Sequence, residues 1–305
     1  MRIHTIIYSS NPPQMRRQQQ RRPKIMQLFC LGIFFCLGIV SSAQAVISPL
    51  TSEAPASGYV AIIIDDLGYK LKHDQRALQL PGQVTYSFLP YTPQLKPLAE
   101  NAHAQGKEIM LHLPMQSVEP LFLGPGALTQ DMSREAFKIS VLKSILSVPH
   151  VKGINNHMGS LITSQKTHMK WLMEELARTR LFFVDSRTTT NTLAEKTANQ
   201  YNIANTRRNI FLDHEHNRQA IEFQFEQMIK LAKKQGTAVA IGHPYPDTLA
   251  VLEEKIPQLK AAGIHLIPVS ELIHLQYRIS KAQQKLPLDK SHSLTQNNIS
   301  MPSSQ

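Results

Sequence analysis

Cysteine is almost missing from this chain of 305 residues: there are two, Cys30 and Cys36, both inside one apolar stretch near the N-terminus. The rest of the sequence therefore has no disulfide framework, no thiol nucleophile and no thiolate metal ligand. Glycine loops that cradle phosphates are absent as well. Neither G-x-x-x-x-G-K-[ST] nor G-x-G-x-x-G occurs, and no G-x-S-x-G marks a serine nucleophile. No stripe of basic residues interleaved with aromatics suggests nucleic acid. The net charge of +11 does not restore that reading. Six of the cations (Arg2, Arg16, Arg17, Arg21, Arg22 and Lys24) lie in the first 45 residues, which hold no acid. Any chemistry must come from carboxylates, hydroxyls and histidines.

The N-terminal end has the order of an export signal. A basic lead closes with Arg21-Arg22-Pro23-Lys24, an apolar run fills residues 25–40, and Ala43-Gln44-Ala45 supplies the small-residue pattern that signal peptidase accepts. The run is shorter than the roughly 20 residues needed to cross a bilayer. The expectation is a signal peptide over 1–45 cleaved after Ala45, a periplasmic protein, and membrane contact only through that segment. The lead is long, and Met1 and Met15 are both available as starts. Residues 46–58 read as a Ser/Thr/Pro/Ala linker, and the polar residues 279–305 as a disordered tail.

Between them, residues 59–278 form one domain. Apolar runs at 60–64, 84–89, 108–111, 153–155, 181–184, 238–241 and 265–269 read as strands. Amphipathic stretches at 95–105, 134–147, 166–179, 193–201, 220–235 and 249–262 read as helices. The alternation indicates βα units with parallel pairing. About seven such strands make a barrel or a doubly wound sheet, and in both the active site gathers at the strands' C-terminal ends.

Chemically capable residues follow the apolar runs as that geometry requires. The first run ends in Asp65-Asp66, the third in His112, the fourth in Asn155-Asn156-His157, the fifth in Asp185-Ser186-Arg187 and the sixth in Gly242-His243-Pro244. Adjacent carboxylates at a buried strand end repel each other and lose hydration unless a cation or proton offsets them. With strand side chains alternating between faces, one can bind a metal and the other face substrate. His112 and His157 with a carboxylate match an Asp/His/His catalytic zinc site with open positions. Asn155 and Asn156 orient His157 or make a turn. Asp185 and Arg187 form an ion pair, orient a catalytic group or touch a polar ligand. His243, on a stiff turn, suits a general acid or a third imidazole. A rival cluster, Asp213-His214-Glu215-His216, contains a His-x-His pair but also precedes a helix, where acids are favoured.

With these residues in place, the chain resembles the divergent polysaccharide deacetylases, relatives of carbohydrate esterase family four. Ile62-Ile63-Ile64-Asp65-Asp66-Leu67-Gly68 resembles the opening Asp-Asp motif. The stretch from Gly106 to His112 is similar to the segment carrying the first metal histidine. Asn155 to Ser160 and Asp185-Ser186-Arg187 look typical of the divergent branch, and Ile241-Gly242-His243 resembles the closing histidine motif. The resemblance implies a deformed (β/α) barrel, a divalent ion of the zinc type and a cell-envelope glycan as substrate. It makes Asp65 the general base, Asp66 and His112 metal ligands and His243 the general acid. The wider family has a second metal histidine four residues after the first, where this chain has Gln116; His157 is the expected replacement. The same departure supports an alternative, a non-catalytic barrel that binds an envelope glycan or protein.

Overall fold

The apolar run at residues 60–64 becomes the central strand, β1 (Gly58–Leu67), with all five side chains fully buried. A parallel strand covered on both faces carries such continuous apolar sequence. The computed structural model of the chain describes residues 58–285. The expected signal peptide, the linker up to residue 57 and residues 286–305 lie outside them. After β1 come α1 (Leu71–Leu78), β2 (Thr85–Phe88), α2 (Leu95–Ala104), β3 (Glu108–Met115), α3 (Arg134–Ser147), β4 (Gly153–Met158), α4 (Lys166–Leu176), β5 (Phe182–Asp185) and α5 (Ala194–Gln200). They are followed by β6 (Asn205–Arg207), β7 (Ile210–Phe211), α6 (Arg218–Gln235), β8 (Thr237–Gly242), α7 (Pro246–Lys255), β9 (Ile264–Leu266) and α8 (Val269–Lys285).

Every strand pairing is parallel, in the order β6-β5-β4-β3-β2-β1-β8-β7, with β9 beside the start of β1. The two edge strands, β6 and β7, are joined by only Arg208 and Asn209. Eight strands laid flat at about 4.8 Å spacing would hold their edges roughly 34 Å apart. Three Cα–Cα steps of about 3.8 Å cannot bridge that gap. The sheet must therefore curl into the expected deformed (β/α) barrel. The link is stitched to both edges: the Arg208 N–H donates to Asp185 O, the Asn209 N–H donates to Val239 O, and the Val239 N–H donates to Asn209 Oδ1 at 2.8 Å.

The core has two layers that follow strand alternation. Val60, Ile62 and Ile64 of β1, with Leu111, Ile154 and Phe183, join the large cluster that includes residues of the surrounding helices. Ala61, Ile63, Met110, Val184, Val239 and Ile241 form a second cluster with Val269, Leu272 and Ile273 of α8. The first two N–H groups of α8 donate to Thr85 Oγ1 and Glu108 Oε1, at the starts of β2 and β3. Helix α8 thus closes the N-terminal end of the barrel and leaves the C-terminal end for the site.

All seven expected strands are present; β6 and β7, of three and two residues, are too short to show a period. Helix α7 stops at Lys255 rather than 262 because Pro257 has no N–H to continue it. The run at 265–269 splits at Pro268 into β9 and α8, a helix the apolar pattern had hidden. Helix α8 also corrects the tail, which was expected to be disordered from 279: the helix runs to Lys285. Lysine, alanine and glutamine, which make up its described end, are good helix formers. Among the described residues no helix is long and apolar enough to cross a membrane.

Candidate metal centre

Alternation along the strands carries the site. Continuing the inward phase of β1 past Ala61 and Ile63 leads to Asp65; Met110 leads to His112, and Ile241 to His243. On β4, Asn155 and His157 lie in register with His112 and Pro114 of β3. Asp66 falls in the outward phase, yet its backbone adopts left-handed φ 60° and returns the carboxylate to the mouth. Asp74 of α1 braces that turn: its buried Oδ2 accepts the N–H groups of Gly68 and Lys70, both at 3.0 Å.

Three ligand atoms converge there. Asp66 Oδ1 is 3.2 Å from His112 Nε2 and 3.0 Å from His157 Nδ1, and the two nitrogens are 3.0 Å apart. Bonds of about 2.0–2.1 Å in tetrahedral geometry separate ligand atoms by roughly 3.3 Å. Asp66 Oδ1 is buried without a hydrogen-bond partner of sound geometry, an orphaned acceptor aimed between two imidazoles. Among the described residues this is the one group of histidines and acids so arranged. The donors present fit a divalent cation.

The surrounding hydrogen bonds select the tautomer a metal needs. Asp65 can only accept, and Asn155 Nδ2 donates to both of its oxygens at 2.9 Å. Asn155 Oδ1 therefore faces Ser87 Oγ, which donates to it at 2.7 Å, and His112 Nδ1 at 2.8 Å. The His112 proton is on Nδ1, and Nε2 presents its lone pair to Asp66 and His157. Asn155 thus orients His112 rather than His157. Asn156 clamps two strand ends: its Oδ1 accepts the Ser186 N–H and its Nδ2 donates to Met158 O.

Charge is balanced by protons when no cation is present. Burial raises the Asp65 pKa, and His112, His243 and Asn155 do not fully offset it. Burial would raise Asp66 too, but the imidazoles of His112 and His157 close against it hold it far below the usual carboxylate range. Burial disfavours the His112 cation, yet Asp65 and Asp66 raise its pKa overall. His243 shows the same contest: burial lowers it, but Asp213, Asp66 and Asp65 push it up to about 9.

The rival cluster is divided by the fold. Asp213 is buried and grips His243: Oδ1 meets Nδ1 at 3.0 Å, and Oδ2 accepts the His243 N–H at 2.6 Å and Thr248 Oγ1 at 2.9 Å. His214 reaches the rim of the cavity, and Glu215 and His216 are exposed. Asp213 is thus a positioning residue that the helix-start reading had explained away. Gln116 supplies no ligand; its Oε1 accepts the Gln130 N–H and holds the loop after β3. Asp185 lies in the outward phase of β5, after Phe183. Its oxygens accept from the Arg187 N–H, Thr192 Oγ1 and the Glu195 N–H, so the carboxylate faces its own loop. Arg187 instead lines a cavity of about 440 Å³ with Asp65, His112, His157 and His243.

A model of the divergent polysaccharide deacetylase family matches residues 62–273. YibQ of Escherichia coli K12, described as uncharacterized, is 35% identical over 223 residues, covering 73% of this chain and 70% of that protein. An uncharacterized protein of Haemophilus influenzae is 36% identical over 211 residues, covering 68% and 75%. The solved structure of an uncharacterized protein from Agrobacterium tumefaciens C58 shares the fold, with a TM-score of 0.69 and 21% identity over 72% of this chain and 91% of that one. On its motifs, its barrel and these matches, the chain belongs to the divergent polysaccharide deacetylase family.

Proposed function

We propose that this protein is an exported, periplasmic hydrolase that removes acetyl groups from cell-envelope glycans, with a divalent ion, zinc in kind, held by Asp66, His112 and His157. The observation that carries the reading is the triangle of ligand atoms at 3.0–3.2 Å. When bound, such an ion acidifies water and polarises an acetyl carbonyl. Asp65 is the base: it lies against the ligand set, and burial makes its carboxylate a better proton acceptor than usual. Asn155 fixes both Asp65 and the His112 tautomer through one amide. His243, kept protonated by Asp213, is the acid that delivers a proton to the departing amine or alkoxide. Asp185 positions Arg187 at the cavity wall.

The test is acetate release from N- and O-acetylated envelope glycans by protein reconstituted with zinc, cobalt or nickel, alongside elemental analysis. Asp65→Asn should retain the metal and lose about 10²–10⁴-fold in rate. Metal binding without release from any glycan, and a cellular role unaffected by Asp65→Asn, would instead favour the non-catalytic binding barrel that the Gln116 departure allows. N-terminal sequencing of exported protein should begin at Val46.

A further inference from the structure

Arg187 and Arg208 line the same cavity as Asp65, His112, His157 and His243. Among the described residues neither guanidinium has a carboxylate within ion-pair distance, although the adjacent Arg207 pairs with Glu195 at 3.2 Å. Arg208 is half-buried and held rigidly. Its Nε donates to Ser186 O at 2.7 Å, its Nη2 donates to Arg187 O at 2.9 Å, and its guanidinium lies 4.9 Å from the Phe211 ring centre. Of the five donors of an arginine fork, two are used in this way. Arg187 has left-handed backbone at φ 54°, braced by Asp185 through its N–H and by Arg208 through its carbonyl. Its own side chain has no hydrogen-bond partner among the described residues.

Two neighbouring cations half out of water repel each other, and neither has a carboxylate paired with it to make up for the lost hydration. Burial lowers the Arg208 pKa, Asp185 and then Asp65 oppose the change without cancelling it, and the charge of Arg187 adds a smaller push downward. Those two aspartates do not need the arginines as partners. Asp65 is satisfied by Asn155, and Asp185 by Arg187 N–H, Thr192 and Glu195 N–H. Both arginines line the cavity of the metal site, and an adjoining one with Thr189 and Thr190, with donors that no acceptor of the described residues takes up. Guanidinium forks match carboxylate and phosphate oxygens in pairs.

We propose that Arg187 and Arg208 form an oxyanion subsite beside the metal centre that selects an acetylated sugar carrying a carboxylate or phosphate group. The acetylated part of that ligand rests on the deacetylase reading; the anion subsite rests on the two arginines. A cavity of about 440 Å³ has room for one sugar and its substituent. The subsite also gives a purpose to the left-handed turn at Arg187 and to the hydrogen bonds by which Asp185 holds its own loop.

Calorimetric titration of the purified, metal-loaded chain with N-acetylmuramic acid, N-acetylglucosamine 6-phosphate and N-acetylglucosamine tests this. At least one charged sugar should bind about tenfold or more tightly than the neutral one. Which one wins distinguishes carboxylate from phosphate. Arg187→Gln, which removes a side chain without a structural partner, should bring the charged and neutral sugars to within about threefold. Arg208→Lys, which keeps the charge but loses the fork, should narrow the gap as well. Melting temperatures establish that both variants fold. Equal binding of the three sugars, no measurable binding of either charged one, or a preference that survives in folded Arg187→Gln would overturn the subsite. Acetate release from the same preparation reports on the other reading. Preference without release leaves the subsite and removes the hydrolase; release without preference does the reverse.

Discussion

At the scale of single residues, the proposed centre depends on groups that touch the candidate ligands as well as on those ligands. Asn155 holds the His112 tautomer and both oxygens of Asp65. Asn155→Ala should weaken metal binding by about 10–100-fold, the usual effect of losing an outer partner, in competition titrations with a chelating dye. Asp213 does the equivalent for His243. A histidine whose folded pKa lies above its unfolded value stabilises the fold while protonated. For the metal-free protein that contribution is complete below the ordinary value of 6.5 and is lost as pH rises through about 9. Asp213→Asn should remove most of it, so melting temperatures of wild type and variant should differ below about pH 6.5 and converge toward and above pH 9. The alkaline limb of any acetate-release profile should shift toward neutrality in the same variant. Asp213 itself was visible in the sequence only as part of an Asp-His-Glu-His run, where four polar residues gave no sign of which one turned inward.

At the scale of elements, turns do as much as strands. The β1 end needs two left-handed or glycine-only conformations in three residues, Asp66 and then Gly68 at φ 121°, to bring the second carboxylate back to the mouth. A Cβ at position 68 would overlap the Thr92 side chain as well as strain the backbone. Gly68→Ala should destabilise the domain by about 1–3 kcal/mol. A thermal melt should show that as a fall of several degrees, with weakened metal binding at temperatures where the protein is still folded. The apolar runs made the seven strands legible, because buried parallel strands leave that signature. Helix α8 was not, because a run such as His265-Leu266-Ile267-Pro268-Val269 has no period that separates strand from helix. The same limit applies to β6 and β7.

At the scale of the whole molecule, closure of the barrel depends on a two-residue link. Asn209 satisfies the Val239 N–H, a backbone group in a fully buried strand, and so extends the pairing of β7 with β8 into the link. Asn209→Ala leaves that donor without its partner, at a cost of about 1–3 kcal/mol. Urea titration should show a lower midpoint with an unchanged slope, since the surface exposed on unfolding stays the same. The link also carries Arg208, so the segment that closes the barrel delivers one of the two cavity cations. The triangle of candidate ligands draws on β1, β3 and β4, and the His243–Asp213 pair on β8 and the residues after β7; none of it exists until the sheet has curled.

Sequence alone determined which side chains are available for chemistry and where in the fold they gather. With no cysteine in the barrel domain and no phosphate loop, carboxylates and histidines remained, and their place after apolar runs put them at the C-terminal ends of parallel strands. Local patterns suffice for that, because burial writes its own periodicity along the chain. Only the tertiary structure decided which of those side chains meet. It turned Asp66 inward against the alternation, drew Asp213 from a helix start to His243, turned Asp185 toward its own loop and set Arg187 beside Arg208. Those outcomes depend on strand register, on backbone conformations at turns and, for Asp213 and Asp65, on partners 30 and 90 residues away, none of which an apolar pattern records.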